Sequence, residues 1–319
     1  MKHCFHRYNT YLLIIVSLAL LVVGCHTTNK VAKVGTVQPS DNCRIIQHEL
    51  GKTCIPVNLE RVVVLDSNIA LDPTIALGIK PVGVASFYGR EKSFRGPSLD
   101  VVEEATNVGS TEQPSVEKVL MLKPDLILAS KNQPYQLLSK IAPTIPMPFP
   151  NFDQPSDEAL FKQALRYVAK IFSKEAKAEE LIDQYQKRIE DLQKCLGNQL
   201  QQIEASVIFY NTDLVYTPAR NYDAIADVLI DLGLRPKLIP ASTYLNIENI
   251  DQFDTDILFV ISDQQKSLSF YQQHPLFSRL KAVKNNRLDL VPPERWDTRG
   301  ILGANQILDD LFKYLVDEP

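Results

Sequence analysis

Residues 115–128 and 246–259 repeat one pattern at an offset of 131 residues, and that repeat narrows the possible folds more than any other feature of the chain. Glu117 stands eight residues before Asp125, and Glu248 stands eight before Asp256. The apolar positions between them coincide: Val116 with Ile247, Val119 with Ile250, Leu122 with Phe253. A second echo, Leu-Gly-Ile-Lys-Pro at 77–81 and Leu-Gly-Leu-Arg-Pro at 232–236, follows in the same order at an offset of 155. The difference of 24 residues falls in the irregular stretch 88–111 of the first half. Any α/β chain yields some such echoes, because its buried strands are all apolar. Two of them in one order point to two copies of one plan.

Each copy alternates strand and helix. In the first, the runs at 61–65, 81–86, 125–130 and 144–149 read as buried strands, with helices at 71–77 and 115–122. In the second, strands are expected at 205–211, 237–240, 257–262 and 288–291, with helices at 222–232 and 301–315. Alternation of this kind makes a parallel sheet covered on both faces. Between the copies, Leu160, Ala164, Val168, Ile171, Leu181, Tyr185, Ile189 and Leu192 recur mostly at threes and fours, with no Pro or Gly from 157 to 196. That spacing predicts a single rod of about 55–60 Å. The expected fold is α/β: two Rossmann-like lobes with parallel sheets joined by one long backbone helix. The boundaries are a signal peptide at 1–24, a tether at 25–40, an N-terminal lobe at 41–153, the connecting helix at 154–198 and a C-terminal lobe at 199–319.

The first 25 residues set the compartment. Lys2 and Arg7 precede an apolar run from Tyr11 to Val23, broken only by Ser17. About 13 residues is short for a bilayer span and right for the core of a signal peptide. The run ends in Val22-Val23-Gly24-Cys25, which resembles a lipobox, where a small residue precedes the cysteine that becomes the lipidated N-terminus. An uncleaved anchor helix is the alternative, and either reading places the rest outside the cytoplasm. Of the five cysteines, Cys4 leaves with the signal and Cys25 carries the lipid. Cys43 and Cys54 flank a hairpin with Gly51 in its turn, and an oxidising compartment favours a disulfide between them, although a simple hairpin register does not set them opposite each other. Cys195 has no evident partner. The chain holds 34 basic and 38 acidic residues, and loss of Lys2 and Arg7 makes it more acidic still, which excludes a nucleic-acid-binding face.

Taken in order, Arg61 to Asp66, Leu77 to Val84, Val108 to Ser110, Leu122 to Leu128, Ile141 to Thr144, His274 to Phe277, Leu280 to Asn285 and Ala304 to Leu311 resemble the solute-binding proteins that serve iron-siderophore, haem and vitamin B12 ABC importers, specifically the ferric-siderophore type. The resemblance covers nearly everything after residue 41. It implies that one glutamate on each lobe, Glu117 and Glu248, meets arginines of the permease dimer. It also implies a small-molecule ligand, an iron chelate, held in the cleft between lobes at the strand ends. Ferric siderophores are anionic or rich in oxygen, so arginines and aromatics are the expected lining. The candidates are Tyr88, Arg90, Arg95, Lys131 and Asn132 in the first half and Tyr210, Tyr216, Arg220, Arg295, Trp296 and Arg299 in the second. Trp296, the only tryptophan, and Arg299 lead them. The expected protein is a lipid-anchored, extracytoplasmic monomer with no cofactor and no catalytic residue.

Other readings stay open. Haem ligated by Tyr210 or Tyr216 and vitamin B12 are rivals within the same transporter class. Direct zinc or manganese binding needs several imidazoles, and after Cys25 only His26, His48 and His274 remain, dispersed in the sequence. Two-lobed α/β architectures also host chelatases, but the chain has no GxGxxG, P-loop or nucleophile motif. A surface adhesin using the same anchor would have an apolar or empty cleft.

Overall fold

The computed structural model describes residues 43–86, 102, 104–148, 158–220, 222–240, 243–262, 264 and 266–317, all of them within one unit, Asn42–Pro319. They open with an antiparallel hairpin, β1 (Cys43–His48) and β2 (Gly51–Pro56). Gly51 closes its turn at φ 130°, a conformation that a side chain strains. Cys43 pairs with Pro56 and Cys54 with Ile45, so the cysteines stand diagonally across the ladder, Cα atoms 5.7 Å apart, and a disulfide joins them.

The first half then runs β3 (Val62–Val64), α1 (Leu71–Ala76), β4 (Gly83–Ser86), β5 (Thr106–Ser110), α2 (Val116–Met121), β6 (Leu126–Ala129), α3 (Tyr135–Leu138) and β7 (Thr144–Pro146). Its five strands lie in the order β5-β4-β3-β6-β7, every pair parallel. The order reverses at β3, the place where open α/β sheets leave a crevice beyond their strand ends.

Two helices follow, α4 (Leu160–Phe172) and α5 (Glu175–Leu196). The expected single rod is therefore broken. Ser173 takes the left-handed conformation at φ 53° and ψ 44°, ending α4. Phe161, twelve residues before that break, meets Tyr185, twelve after it, edge to face at 5.2 Å between centroids. Arg166 holds Glu179 through two bonds of 2.7 and 2.8 Å. The helices thus fold back on one another as a hairpin. The sequence carried a faint sign of it, since Ser173 to Glu180 (Ser-Lys-Glu-Ala-Lys-Ala-Glu-Glu) lacks a large apolar residue.

The second half runs β8 (Glu204–Asn211), β9 (Leu214–Tyr216), α6 (Ala224–Leu232), β10 (Arg235–Pro236), β11 (Leu245–Asn246), a 3-10 helix (Ile247–Phe253), β12 (Ile257–Ile261), α7 (Leu268–Gln273), α8 (Lys281–Lys284), β13 (Leu288–Val291), α9 (Pro293–Trp296) and α10 (Ile301–Phe312). Its sheet has the order β11-β9-β8-β12-β13, with β10 also on β8. β8, β10, β12 and β13 are parallel, but β9 pairs antiparallel with both of its neighbours, β8 and β11, so this sheet is mixed where an all-parallel one was expected. The short strand expected at 237–240 lies two residues earlier, at Arg235–Pro236.

The duplication has a physical counterpart. Asp125 Oδ2 accepts the N–H groups of Glu60 and Arg61 at 2.9 Å, and Asp256 Oδ2 accepts that of Glu204 at 2.9 Å. Each aspartate pins the entry of its half's central strand, β3 or β8, to the strand beside it. One continuous core joins the inner faces of both sheets with α1, α4, α5, α6 and α10, while separate clusters fill the outer faces. The halves are therefore packed together behind the strand ends and are not hung from a bare rod.

Candidate functional site

Beyond the C-terminal end of β3 the chain turns through a floor of buried polar groups. Asp66 Oδ1 accepts the N–H groups of Asn68 and Ile69, both at 3.0 Å, and burial pushes its carboxyl up to about 6. Ser67 and Thr111 share a hydroxyl bond of 2.7 Å. Gln133 Nε2 donates to the carbonyls of Leu65 at 3.1 Å and Thr111 at 2.6 Å, and its Oε1 accepts from Ser130 N at 3.0 Å. One amide side chain thus fixes the ends of β3, β5 and β6 relative to each other, which keeps the floor pre-organised.

Asp72, in the first turn of α1, reaches across to the other half. Its Oδ1 accepts Leu302 N at 3.1 Å and its Oδ2 accepts Gly303 N at 3.0 Å, so it caps α10 in place of the absent side chain of Gly300. A Cβ on Gly300 would lie 1.9 Å from Asp72 Cγ, and one on Gly303 would lie 1.8 Å from Thr298 Oγ1. These glycines are required for close approach. Burial pushes the Asp72 carboxyl up to about 6, and the backbone donors limit that rise. Because α1 follows β3 and α10 follows β13, this contact brings the C-terminal ends of the two sheets to one place.

On the second half, Arg299 is buried beside that contact. It pairs with Asp223 at 2.8 Å, lies 3.6 Å from Asp297 Oδ1, and its guanidinium sits 4.1 Å from the centroid of Tyr222. Thr298 O accepts Ala224 N at 2.9 Å, joining this turn to the start of α6. Tyr216, half-buried at the end of β9, stacks on Phe209 at 4.7 Å with planes 6° apart, and exposed Tyr244 meets it edge-on at 5.1 Å. Arg220 is exposed in the turn after β9, and Lys131 and Asn132 are exposed in the turn after β6.

Three of the candidates are engaged elsewhere in the structure. Trp296 is fully buried: its Nε1 donates to Asp310 Oδ2 at 2.9 Å and its ring packs 5.0 Å from Phe259, under α10. Arg295 faces the same helix, bound to both Asp310 oxygens at 2.9 and 3.1 Å. Tyr210 is packed edge-on between Tyr271 and Phe277 in the outer core of the second sheet. Strand alternation decides this last case, since Phe209 and Tyr210 must point to opposite faces. Trp296→Phe is accordingly expected to lower stability by about 1–2 kcal/mol through the lost bond to Asp310, with ligand affinity unchanged in calorimetric titration. Tyr88, Arg90, Arg95 and Cys25 lie outside the described residues. Glu117 and Glu248 are both exposed, each early in its helix beside an N-cap side chain, Ser115 or Asn246.

Asp72, Gly300, Tyr222, Asp223, Phe209 and Tyr244 were missed by sequence reasoning. Glycine directly before a predicted helix start was the only available sign of the Asp72 contact. Among the described residues no group of three or more His, Cys, Asp or Glu could hold a metal ion.

Two α/β halves sharing a core, with their strand ends meeting at a buried polar floor, define a two-lobed small-molecule binder. The chain belongs to the periplasmic binding protein family, whose description matches residues 62–294. It is 30% identical over 321 residues to the Fe(3+)-citrate-binding protein YfmC of Bacillus subtilis, covering 96% of this chain and 98% of that one. It is also 30% identical to the probable siderophore-binding lipoprotein YfiY of the same organism, covering 96% and 97%. Among solved structures, Staphylococcus aureus SirA complexed with staphyloferrin B matches with a TM-score of 0.68 and 26% identity, over 85% of this chain and 98% of that one.

Proposed function

We propose that this protein captures a ferric chelate outside the cytoplasmic membrane and delivers it to an ABC permease. The observation that carries the reading is the Asp72–α10 contact, which unites the strand ends of both halves in a chain whose relatives include binders of Fe(3+)-citrate and siderophores. The ligand lies over that floor. Lys131, Asn132, Tyr216 and Arg220 line it among the described residues, and Tyr88, Arg90 and Arg95 are further proposed contacts. Arg299 acts from beneath, holding Tyr222 and Asp223 in place. Cys25 carries the lipid that keeps the protein at the membrane, and Glu117 and Glu248 dock the loaded protein on the permease.

Haem bound through Tyr210 would require that ring to leave the core, which leaves Tyr216 as the haem ligand that the titration sets against the ferric chelate. The test is isothermal titration of residues 40–319 with ferric citrate, a ferric hydroxamate and a ferric catecholate, with haem and cobalamin as comparisons. Saturable sub-micromolar binding of one ferric class is the expected result. Binding of haem or cobalamin alone, or of none of the five, would overturn the assignment.

A further inference from the structure

Glu117 does not stand alone on its helix face. Leu120 and Met121 follow it in α2 by three and four residues, the spacing that puts side chains on one helix surface. Leu120 is 57% exposed and Met121 79%, the highest value among the large apolar side chains described. Val119 and Leu122 already serve the core on this helix, so the exposed pair adds nothing to it.

The second half supplies an internal comparison. The positions matching Leu120 and Met121 are Asp251 and Gln252, both exposed, on the 3-10 helix that carries Glu248. The same local plan is completed there with polar residues, including the side-chain cap at its start. An apolar pair at 120–121 is therefore not a demand of the fold. The charges differ in the same sense. Glu248 and Asp251 give the second half an exposed acidic face, whereas Glu117 shares its face with two apolar side chains. A complementary partner would offer a cation beside an apolar recess to the first face and a basic surface to the second.

We propose that Leu120 and Met121 are a docking key that seats in an apolar recess of the permease, next to the cation that receives Glu117. The Glu248–Asp251 face meets a wholly polar, basic surface on the other side. This rests on the docking reading given above and deepens it: the partner is a permease with two unlike receiving surfaces, so the loaded protein docks in one of the two orientations related by a half-turn. Methionine suits such a contact, because its unbranched, polarisable chain fits an irregular recess.

The test uses the full chain in cells, with the photo-crosslinker p-benzoylphenylalanine in place of Met121 or of the exposed Lys118, and mass spectrometry of the adducts. Permease adducts are expected from both positions, and Leu120→Gln should reduce the yield at position 121 by roughly fivefold or more. Met121→Gln read from position 118 should reduce it similarly, which guards against a folding defect peculiar to one variant. A permease adduct at 118 with none at 121, or yields indifferent to both glutamine variants, would defeat the key and leave docking through the glutamates intact. Absence of permease adducts from both positions would defeat the docking reading and the key together.

Discussion

Glu117→Ala combined with Glu248→Ala is expected to reduce ferric chelate uptake by cells on the order of a hundredfold while leaving ligand affinity untouched. Both carboxylates are exposed in the free protein, so their removal leaves no buried group unpaired and the fold should melt unchanged. On the proposed docking, their value arises only when a partner's cations cover them. Truncating one member of a desolvated charge pair costs about 2–5 kcal/mol, most of it from the partner charge left bare. Each single variant should therefore retain part of the uptake, and the double variant very little. Uptake assays beside titration of the soluble protein separate the two effects. Wild-type uptake in the double variant would reduce both glutamates to ordinary surface charges.

Asp72→Ala should give the largest loss of stability, about 2–4 kcal/mol. It strips the acceptors from the N–H groups of Leu302 and Gly303, and each buried donor left bare costs about 1–3 kcal/mol, offset in part by removal of a buried carboxylate. For a chain of this size that corresponds to a fall in Tm of roughly 3–7 °C. The pH dependence carries a definite sign. Burial raises the folded-state value of Asp72 from 3.8 to about 6, so the folded protein binds the proton more tightly than the unfolded chain. That contribution is complete below the unfolded value and is lost as pH rises through about 6. The stability gap between wild type and Asp72→Ala should accordingly be wider at pH 5 than at pH 7.5 in thermal melts. Asp66, raised to the same level, is present in both proteins and cancels from the comparison.

Much of the fold was legible because its signals are local. The β-branched run at Val62–Val64 and the apolar run at Ile257–Ile261 mark the buried strands, and the Glu–Asp spacing predicted a duplication that Asp125 and Asp256 turn out to enforce with matching bonds. The helical hairpin was missed because nothing at Ser173 is a helix breaker by type. The return of α5 along α4 is decided by the meeting of Phe161 with Tyr185 and of Arg166 with Glu179, contacts that exist only once the chain is folded. Strands β9 and β11 are too short for a periodicity to declare them. The packing of the individual candidates was less legible. Trp296 drew attention as a lone aromatic after a strand, but the carboxylate that claims its indole, Asp310, lies one helix further on. Asp72 is unremarkable by sequence, since the amides it serves are 230 and 231 residues away.

The hairpin at the start of the described chain has a mechanical consequence. Arg44 donates to the carbonyls of Lys170 and Ile171 at the end of α4, and the Cys43–Cys54 bond closes its strands into a covalent ring. A pull arriving through the preceding chain enters at Cys43. It cannot unzip β1 from β2 one bond at a time, because the ring shares the force between both strands at once. The force passes through the disulfide to Cys54 and on into the chain that leads to β3, while the bonds from Arg44 to α4 brace the hairpin against the helices.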